Sequence, residues 1–304
     1  MRRPQPLEIL QPSSVQEASS IMQAKGFGGH FLAGGTDLVI AVKEKGLVPK
    51  FVVDLKQIPD LSGIREDPDG GLTIGATTTM NGIETSHTVL ERYPFLAQSA
   101  AEVGSTQIRN RATIGGNIAN ATPSADVVPG LLVLEARICI TNKAEQRIVE
   151  LEDFFVGPGR TVMGCGDIIT KIMIPPSTQG IVGEYIKFSP RETMDLAYIG
   201  VAVALNLSQQ NRCEMARIAL SAVSPTPMRA KAAEALLLGQ TLDEQLAEQA
   251  GEQAARECKP IDDVRSSADY RREMVRAMSK RALLNVAARE SGPVPWKKRR
   301  DKRY

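Results

Sequence analysis

The sequence predicts an α+β chain built in two parts, and three observations carry that reading. Short apolar runs alternate with Gly-rich turns as far as Ile174. Pro175-Pro176, followed by Ser-Thr-Gln-Gly, then interrupts the pattern. Beyond it, a block of strand-like runs gives way to a block of helical ones. Strands followed by helices, instead of strict alternation, argue for a separate α+β unit. The double proline marks its boundary because neither residue can donate a backbone hydrogen bond.

Ser13–Lys25 reads as a helix: Pro12 precedes it, and Val15, Ala18, Ile21 and Met22 share one face. Phe31-Leu32-Ala33 is a short strand ending at Gly34-Gly35, after which Thr36 or Asp37 can cap a helix to about Lys45, stopped by Gly46. Phe51-Val52-Val53 reads as a buried strand. Gly63–Glu66 and Leu72–Ile74 flank the turn Asp67-Pro68-Asp69-Gly70-Gly71 and predict a hairpin. Pro94–Val103 and Ala125–Glu135 read as helices, Ile138–Thr141 and Ile168–Ile174 as strands. Past the prolines, Glu184–Phe188, Ala197–Leu207 and Ala216–Ala222 are strand-like. Arg229–Leu238, Leu242–Glu257 and Ala268–Ala288 have helical spacing and are rich in Ala, Leu, Glu and Arg. No internal repeat or low-complexity segment is present.

With 304 residues, 42% of them hydrophobic, the chain can bury a sizeable core. Its 37 basic and 35 acidic residues leave a formal charge of +2, which steers it toward neither nucleic acid nor a membrane surface. The exception is the basic tail, residues 291–304, with Lys297-Lys298-Arg299-Arg300. It reads as solvated, with contact to an acidic patch on a partner as the alternative. No apolar run follows Arg2-Arg3, so no secretory leader is expected, and no stretch approaches the roughly 20 apolar residues that span a bilayer. Cys139, Cys165, Cys213 and Cys258 are too widely spaced for a CxxC pair or an iron–sulfur ligand run, and read as reduced, mostly buried thiols. These features point to the cytoplasm.

Two Gly-rich segments carry the chemistry. In Phe31-Leu32-Ala33-Gly34-Gly35-Thr36-Asp37-Leu38 a strand ends in two glycines, so backbone can approach a bulky anion and the next helix can offer it unpaired N–H groups. In Thr113-Ile114-Gly115-Gly116-Asn117-Ile118-Ala119-Asn120, running on to Pro123-Ser124-Ala125-Asp126, two more glycines stand among neutral hydrogen-bonding side chains. Two such segments suit a diphosphate held from both sides. A Gly-Gly pair is also the ordinary signature of a turn needing positive φ. No G-x-G-x-x-G, P-loop, HExxH or G-x-S-x-G occurs, and His30 and His87 have no metal-like neighbours in sequence. The chain reads as a cofactor cradle whose cofactor does the chemistry.

Taken in order, these segments resemble the FAD-binding subunit of the molybdenum hydroxylases, the family of aerobic carbon monoxide dehydrogenase and xanthine dehydrogenase. Ala33-Gly34-Gly35-Thr36-Asp37-Leu38 is followed by Ile74-Gly75-Ala76-Thr77-Thr78, then Thr113–Ile118 with Pro123-Ser124-Ala125-Asp126. Asp153-Phe154-Phe155, Ile168–Ile172 before Ile174-Pro175, and Tyr185-Ile186-Lys187 with Arg191-Glu192 come next. Ser224-Pro225-Thr226-Pro227 with Arg229-Ala230 is similar to that family's C-terminal signature. The resemblance spans residues 5–290.

It implies a two-part FAD-binding domain of the vanillyl-alcohol-oxidase (PCMH) type over residues 1–176 and a small α+β C-terminal domain over 182–290. It implies that Phe31 to Leu38 and Thr113 to Asn117, Gly115 and Gly116 among them, hold the FAD diphosphate region. Asp126 would bond the ribityl or ribose part. Ile169 and Lys187 would lie beside the adenine and isoalloxazine portions, and Thr77 and Ser124 complete the set. Val103 falls where some relatives place an aromatic against the ring, so this chain would lack that stacking group. The cysteine-rich insertion of the 4-hydroxybenzoyl-CoA reductases is missing. His30 precedes its glycines, so FAD is expected to be non-covalent. The expected partners are a large molybdopterin-binding subunit and a small subunit with two [2Fe–2S] clusters, in a dimer of heterotrimers. The FAD would collect electrons in pairs and pass them to NAD, a quinone or oxygen. Two other readings compete: a stand-alone flavin oxidase acting on an alcohol, and a non-enzymatic protein using its basic tail on nucleic acid.

Overall fold

The computed structural model describes residues 7–176, 180–191, 194–208, 210 and 212–288. The leader reading at Met1–Pro6, Ser177–Gln179 of the boundary, Glu192 and the basic tail lie outside the described residues.

The first lobe is a three-stranded parallel sheet, ordered β1 (Glu8–Leu10), β3 (Phe51–Asp54), β2 (Gly29–Leu32). Helix α1 (Val15–Lys25) crosses between β1 and β2. Ser14 caps it by accepting from the Glu17 N–H at 3.1 Å, and the Glu17 carboxylate reaches back to the Ser13 N–H at 2.7 Å. Ala18, Met22, Phe51 and Val53 form a small separate core. Helix α2 (Thr36–Glu44) follows β2, and it buries no residue: Val39, Ile40 and Val42 are all exposed. Its N-cap is Gly35, not Thr36 or Asp37 as the side-chain chemistry predicted.

The second lobe is a five-stranded antiparallel sheet covered by short helices. In sheet order its strands are β4 (Ile64–Glu66), β5 (Leu72–Gly75), β10 (Ile168–Ile174), β6 (Arg137–Thr141) and β7 (Gln146–Glu150). The β4–β5 hairpin closes where Gly70 N–H donates to Asp67 O and Asp69 caps Gly71 N–H. Between β5 and β6 run α3 (Met80–Thr85), α4 (His87–Arg92), α5 (Pro94–Ala101), α6 (Thr106–Arg109), α7 (Ile114–Ala119) and α8 (Val127–Val133). A turn of helix, α9 (Leu151–Phe154), and the pair β8 (Phe155–Gly157) and β9 (Arg160–Thr161) complete the lobe. Leu72, Ile74, Ile138, Ile140 and Ile172 of the sheet pack on Leu96, Ile114, Ile118 and Leu131 of the helices. The segment read as the second Gly-rich loop is therefore mostly helix: α7 starts one residue after Thr113.

The C-terminal part is an antiparallel meander, β11 (Val182–Phe188), β12 (Ile199–Leu207), β13 (Cys213–Ser221) and β14 (Met228–Arg229), followed by α10 (Lys231–Leu237), α11 (Glu244–Glu257) and α12 (Ala268–Ala287). Strand period sorts its side chains. On β12, Ala202 and Ala204 join the second-lobe core, whereas Val201, Val203 and Leu205 pack with Ile218, Leu220, Ala247 and Leu283 beneath the last helices. Small residues on one face let the sheet sit close to α5 and α8. A Cβ on Gly183 would lie 2.6 Å from the Phe95 ring. Two arginines also pin the parts: Arg217 donates to Glu135 at 2.6 Å and to the Val133 carbonyl, and Arg229 bridges Glu135 and Glu234.

Candidate cofactor cleft

Where the first lobe meets the second, a cleft of about 710 Å3 runs between β2–α2 on one side and the Thr77 turn and α7 on the other. Its two walls touch at their root. Gly34 lies so close to the Arg111–Ala112 backbone that a Cβ there would sit 2.1 Å from the Arg111 carbonyl oxygen. Gly35 does a different job: its φ of 75°, which L side chains resist, turns the chain into α2 without a side-chain cap. Val39 N–H is the first to bond within the helix, to Gly35 O. Among the described residues the N–H groups of Thr36, Asp37 and Leu38 meet no acceptor. They point along a positive helix end. Asp37 stands at this end, its Oδ1 accepting from Asn120 Nδ2 at 3.2 Å across the cleft. Desolvation by the surrounding wall raises its carboxyl above the usual range.

The opposite wall is organised differently. Ile114 N–H donates to Thr78 O, Gly115 N–H to Ala76 O, and Gly116 N–H to Thr113 Oγ1. Thus the first turn of α7 has no unpaired N–H to give, and this wall offers side-chain groups where α2 offers backbone. Gly115 is a packing glycine, its Cβ position 2.7 Å from the Ala76 Cβ. Gly116 has open space on the cleft side, with only Thr113 Oγ1 nearby at 2.8 Å. Asn117 contributes an acceptor instead: its Oδ1 is buried and unpartnered among the described residues.

At the inner end, Asp126 and Lys187 form an ion pair at 2.8 Å, their side chains only 11% and 6% exposed. Tyr185 Oη donates to the other oxygen of Asp126 at 2.9 Å, and Lys187 Nζ also donates to the Glu102 carbonyl at 3.0 Å. Burial pushes the Asp126 carboxyl up to about 6, with Lys187 and Tyr185 opposing the rise. Burial, then the neighbouring Asp126 charge, raises the Tyr185 hydroxyl well above its ordinary value. Asp167, at the cleft edge, is held below the usual carboxylate range. Burial opposes this, but Arg147, Asn142 and the Gly164 N–H all donate to it.

Of the residues singled out in the sequence, Phe31, Ala33, Gly34, Gly35, Thr36, Asp37, Leu38, Thr77, Val103, Thr113, Gly115, Gly116, Asn117, Ser124, Asp126 and Ile169 line the cleft. Leu32 and Lys187 do not. Leu32 lies instead beside Gly35, and Lys187 sits behind the lining, against Asp126 and the Glu102 carbonyl. His30, Gly104, Ile108, Met163, Asp167 and the Met194–Leu196 loop also line it and were not anticipated. Gly104-Ser105 was a readable helix stop and N-cap, since Ser105 Oγ accepts from Ile108 N–H. The loop past β11 carried no signal. His87 is exposed beside Glu91, away from the cleft. Among the described residues no group of three or more His, Cys, Asp or Glu is placed to hold a metal, and no helix is long and apolar enough to cross a membrane. Cys139, Cys213 and Cys258 are buried thiols, and Cys165 is an exposed one.

A long, largely apolar cleft with one open helix N-terminus and an orphan buried acceptor defines a binding site for a dinucleotide-sized, phosphate-bearing cofactor. Residues 5–177 match the model of the FAD binding domain in molybdopterin dehydrogenase, and residues 184–286 match the CO dehydrogenase flavoprotein C-terminal domain. The chain belongs to this flavoprotein family, and it is an oxidoreductase component with an FAD-binding domain. It is 34% identical to the carbon monoxide dehydrogenase medium chain of Hydrogenophaga pseudoflava over 94% of this chain and 99% of that one. To the xanthine dehydrogenase FAD-binding subunit of Escherichia coli O157:H7 it is 30% identical, over 86% of this chain and 89% of the relative. It superposes on a chain of the Hydrogenophaga pseudoflava carbon monoxide dehydrogenase lacking the Mo-pyranopterin moiety with a TM-score of 0.90, covering 95% of this chain and 100% of that one.

Proposed function

We propose that this chain is the FAD-bearing relay subunit of a molybdopterin-containing hydroxylase or dehydrogenase. In this reading it takes electrons from [2Fe–2S] clusters on a small partner and passes them to an external acceptor. The observation that carries the reading is the cleft itself, which opposes the uncapped end of α2 to the orphan acceptor of Asn117. The N–H groups of Thr36, Asp37 and Leu38 suit the anionic diphosphate, with Phe31, Ala33, Gly34 and Gly35 shaping the approach. A buried carbonyl-type acceptor suits a donor, so Asn117 Oδ1 suits a hydroxyl of the ribityl chain better than a phosphate oxygen. Asp126, already held by Lys187 and Tyr185, keeps lone pairs for another hydroxyl. Ile169, Val103, Thr77, Ser124, Thr113, Gly115 and Gly116 line the space left for the ring systems.

When bound, the flavin supplies reversible one- and two-electron exchange. The chain's own part is to hold it, exclude water from one side and set its potential through nearby hydrogen bonds and charge. The named relatives, a medium chain and a FAD-binding subunit, support assembly with a large molybdopterin chain and a small cluster-bearing chain. We place two such trimers in one cytoplasmic particle. The test is to assay the isolated chain and the assembled complex side by side, with the organic substrate of the complex and with an artificial dye. The relay reading expects substrate-driven dye reduction by the complex alone, while the flavin of the isolated chain, once reduced chemically with dithionite, still passes its electrons to the dye. Substrate turnover by the isolated chain at the rate of the complex would instead establish a stand-alone oxidase. Light scattering on the complex tests the pairing of trimers.

A further inference from the structure

One wall of the cleft is fixed by two buried cations that grip neighbouring carbonyls. Helix α5 ends at Ala101, and the chain turns through Glu102, Val103 and Gly104 before α6. Val103 and Gly104 line the cleft. Lys187 Nζ, paired with Asp126, donates to the Glu102 carbonyl at 3.0 Å. From the other side Arg109 Nη1 donates to the Val103 carbonyl at 3.4 Å and Nη2 to Thr106 Oγ1 at 3.2 Å. Arg109 is itself held by Glu84 of α3, Nε to Oε2 at 2.6 Å, with both side chains nearly fully buried at 4% and 6% exposed. The turn therefore hangs between two carboxylate-bound cations from different elements, β11 and α6.

Burying a charged pair is a poor route to stability, because desolvation offsets most of the attraction; its better-attested return is a specified geometry. Here the geometry specified is a stretch of cleft wall. Ile108, adjacent to Arg109, lines the cleft, and so do Ala112 and Thr113 just beyond it. Gly104, at φ 52°, packs where a Cβ would be 2.9 Å from Ile108 Cγ2. The guanidinium, with donors in a fixed fork, can hold Glu84, Val103 and Thr106 at once; a lysine ammonium on a flexible stem cannot span the three.

We propose that Arg109, anchored by Glu84, is a positioning residue that sets the Glu102–Gly104 turn against the bound flavin and so tunes flavin affinity and potential. This rests on the reading of the cleft as the FAD site. The experiment compares the full chain, co-produced with the chains it assembles with, to two variants. One is the apolar pair Glu84→Leu with Arg109→Met. The other is Arg109→Lys, which keeps a charge for Glu84 but loses the fork. Thermal unfolding, flavin content, the flavin absorption and circular dichroism bands, and the flavin midpoint potential are read on each. A positioning role predicts a melting temperature close to the parent's in at least one variant. In that same variant FAD should bind on the order of tenfold more weakly, with shifted bands and potential. Parental flavin content, bands and potential in either folded variant would overturn it, since a merely structural pair would leave them untouched. A parent that takes up no FAD would instead refute the cleft reading.

Discussion

Asp126, the residue that precedes α8, and Lys187 on β11 meet at 2.8 Å across the junction of the two family domains, where neither side chain has more than marginal access to water. Removing one partner from such a pair leaves a buried charge uncompensated. Lys187→Met is therefore expected to cost about 3–5 kcal/mol of unfolding free energy at neutral pH. Adding Asp126→Asn should recover most of that loss, because the orphaned carboxylate goes with it. Urea denaturation of the parent, single and double variants checks both halves, and a double variant no better than the single would contradict the pairing.

The same carboxyl makes stability depend on pH in a stated direction. Burial raises Asp126 from its ordinary 3.8 to about 6 in the folded chain, so the folded form binds its proton more tightly than the unfolded form does. Its contribution is most favourable below pH 3.8 and is lost progressively as pH rises toward 6. Asp126→Asn cannot titrate, so the variant should gain stability relative to the parent as pH rises through that window. A constant difference across it would rule out the raised carboxyl.

The glycine pairs are expected to part company on mutation. Gly34→Ala places its Cβ 2.1 Å from a carbonyl oxygen and should destabilise the fold by roughly 1–3 kcal/mol with or without flavin. Gly116→Val meets only the Thr113 hydroxyl, at a capping cost of about 1 kcal/mol, yet fills cleft space. It should stay folded and lose FAD. Calorimetry together with flavin content per chain separates the two, and full flavin in folded Gly116→Val would remove Gly116 from the site.

Helix α2 should respond to the cofactor more than any other helix, since it buries no residue of its own. In hydrogen exchange, its amides are expected to be poorly protected without FAD and well protected with it, from Thr36 to Leu38 above all. A hundredfold excess of FAD over its dissociation constant should add about 2.7 kcal/mol to stability. Acid precipitation should then leave the yellow colour in the supernatant; colour that stays with the denatured chain would mean a covalent link.

Much of this was legible in the sequence where local chemistry decides the outcome. The apolar face of α1, the Asp67–Gly71 hairpin and the alternating runs of β11 to β13 folded as their periodicities indicate. The two Gly-Gly segments share a local pattern, yet their backbones differ for a reason that pattern does not carry. Whether the N–H groups of α7 are free depends on the Ala76 and Thr78 carbonyls, which lie some 40 residues away and arrive only through the lobe's tertiary packing. Likewise Lys187 belongs with the site residues by sequence, but Asp126 stands between it and the cleft. Short helices such as α3, α6 and α9 were missed because four to six residues hold too few turns to show a period.

The opposed faces of β12 bear on how such a chain can change over time. Ala202 and Ala204 are cut to the contours of α8, while Val201 and Val203 are cut to those of α12. A strand that serves as a party wall ties substitutions in one neighbourhood to the backbone that the other also packs against. Exchanging the C-terminal piece for that of a distant relative would trade away the lining of the other room as well. Drift in the outer helices can proceed alone, but recombination has to carry the wall and both its tenants together.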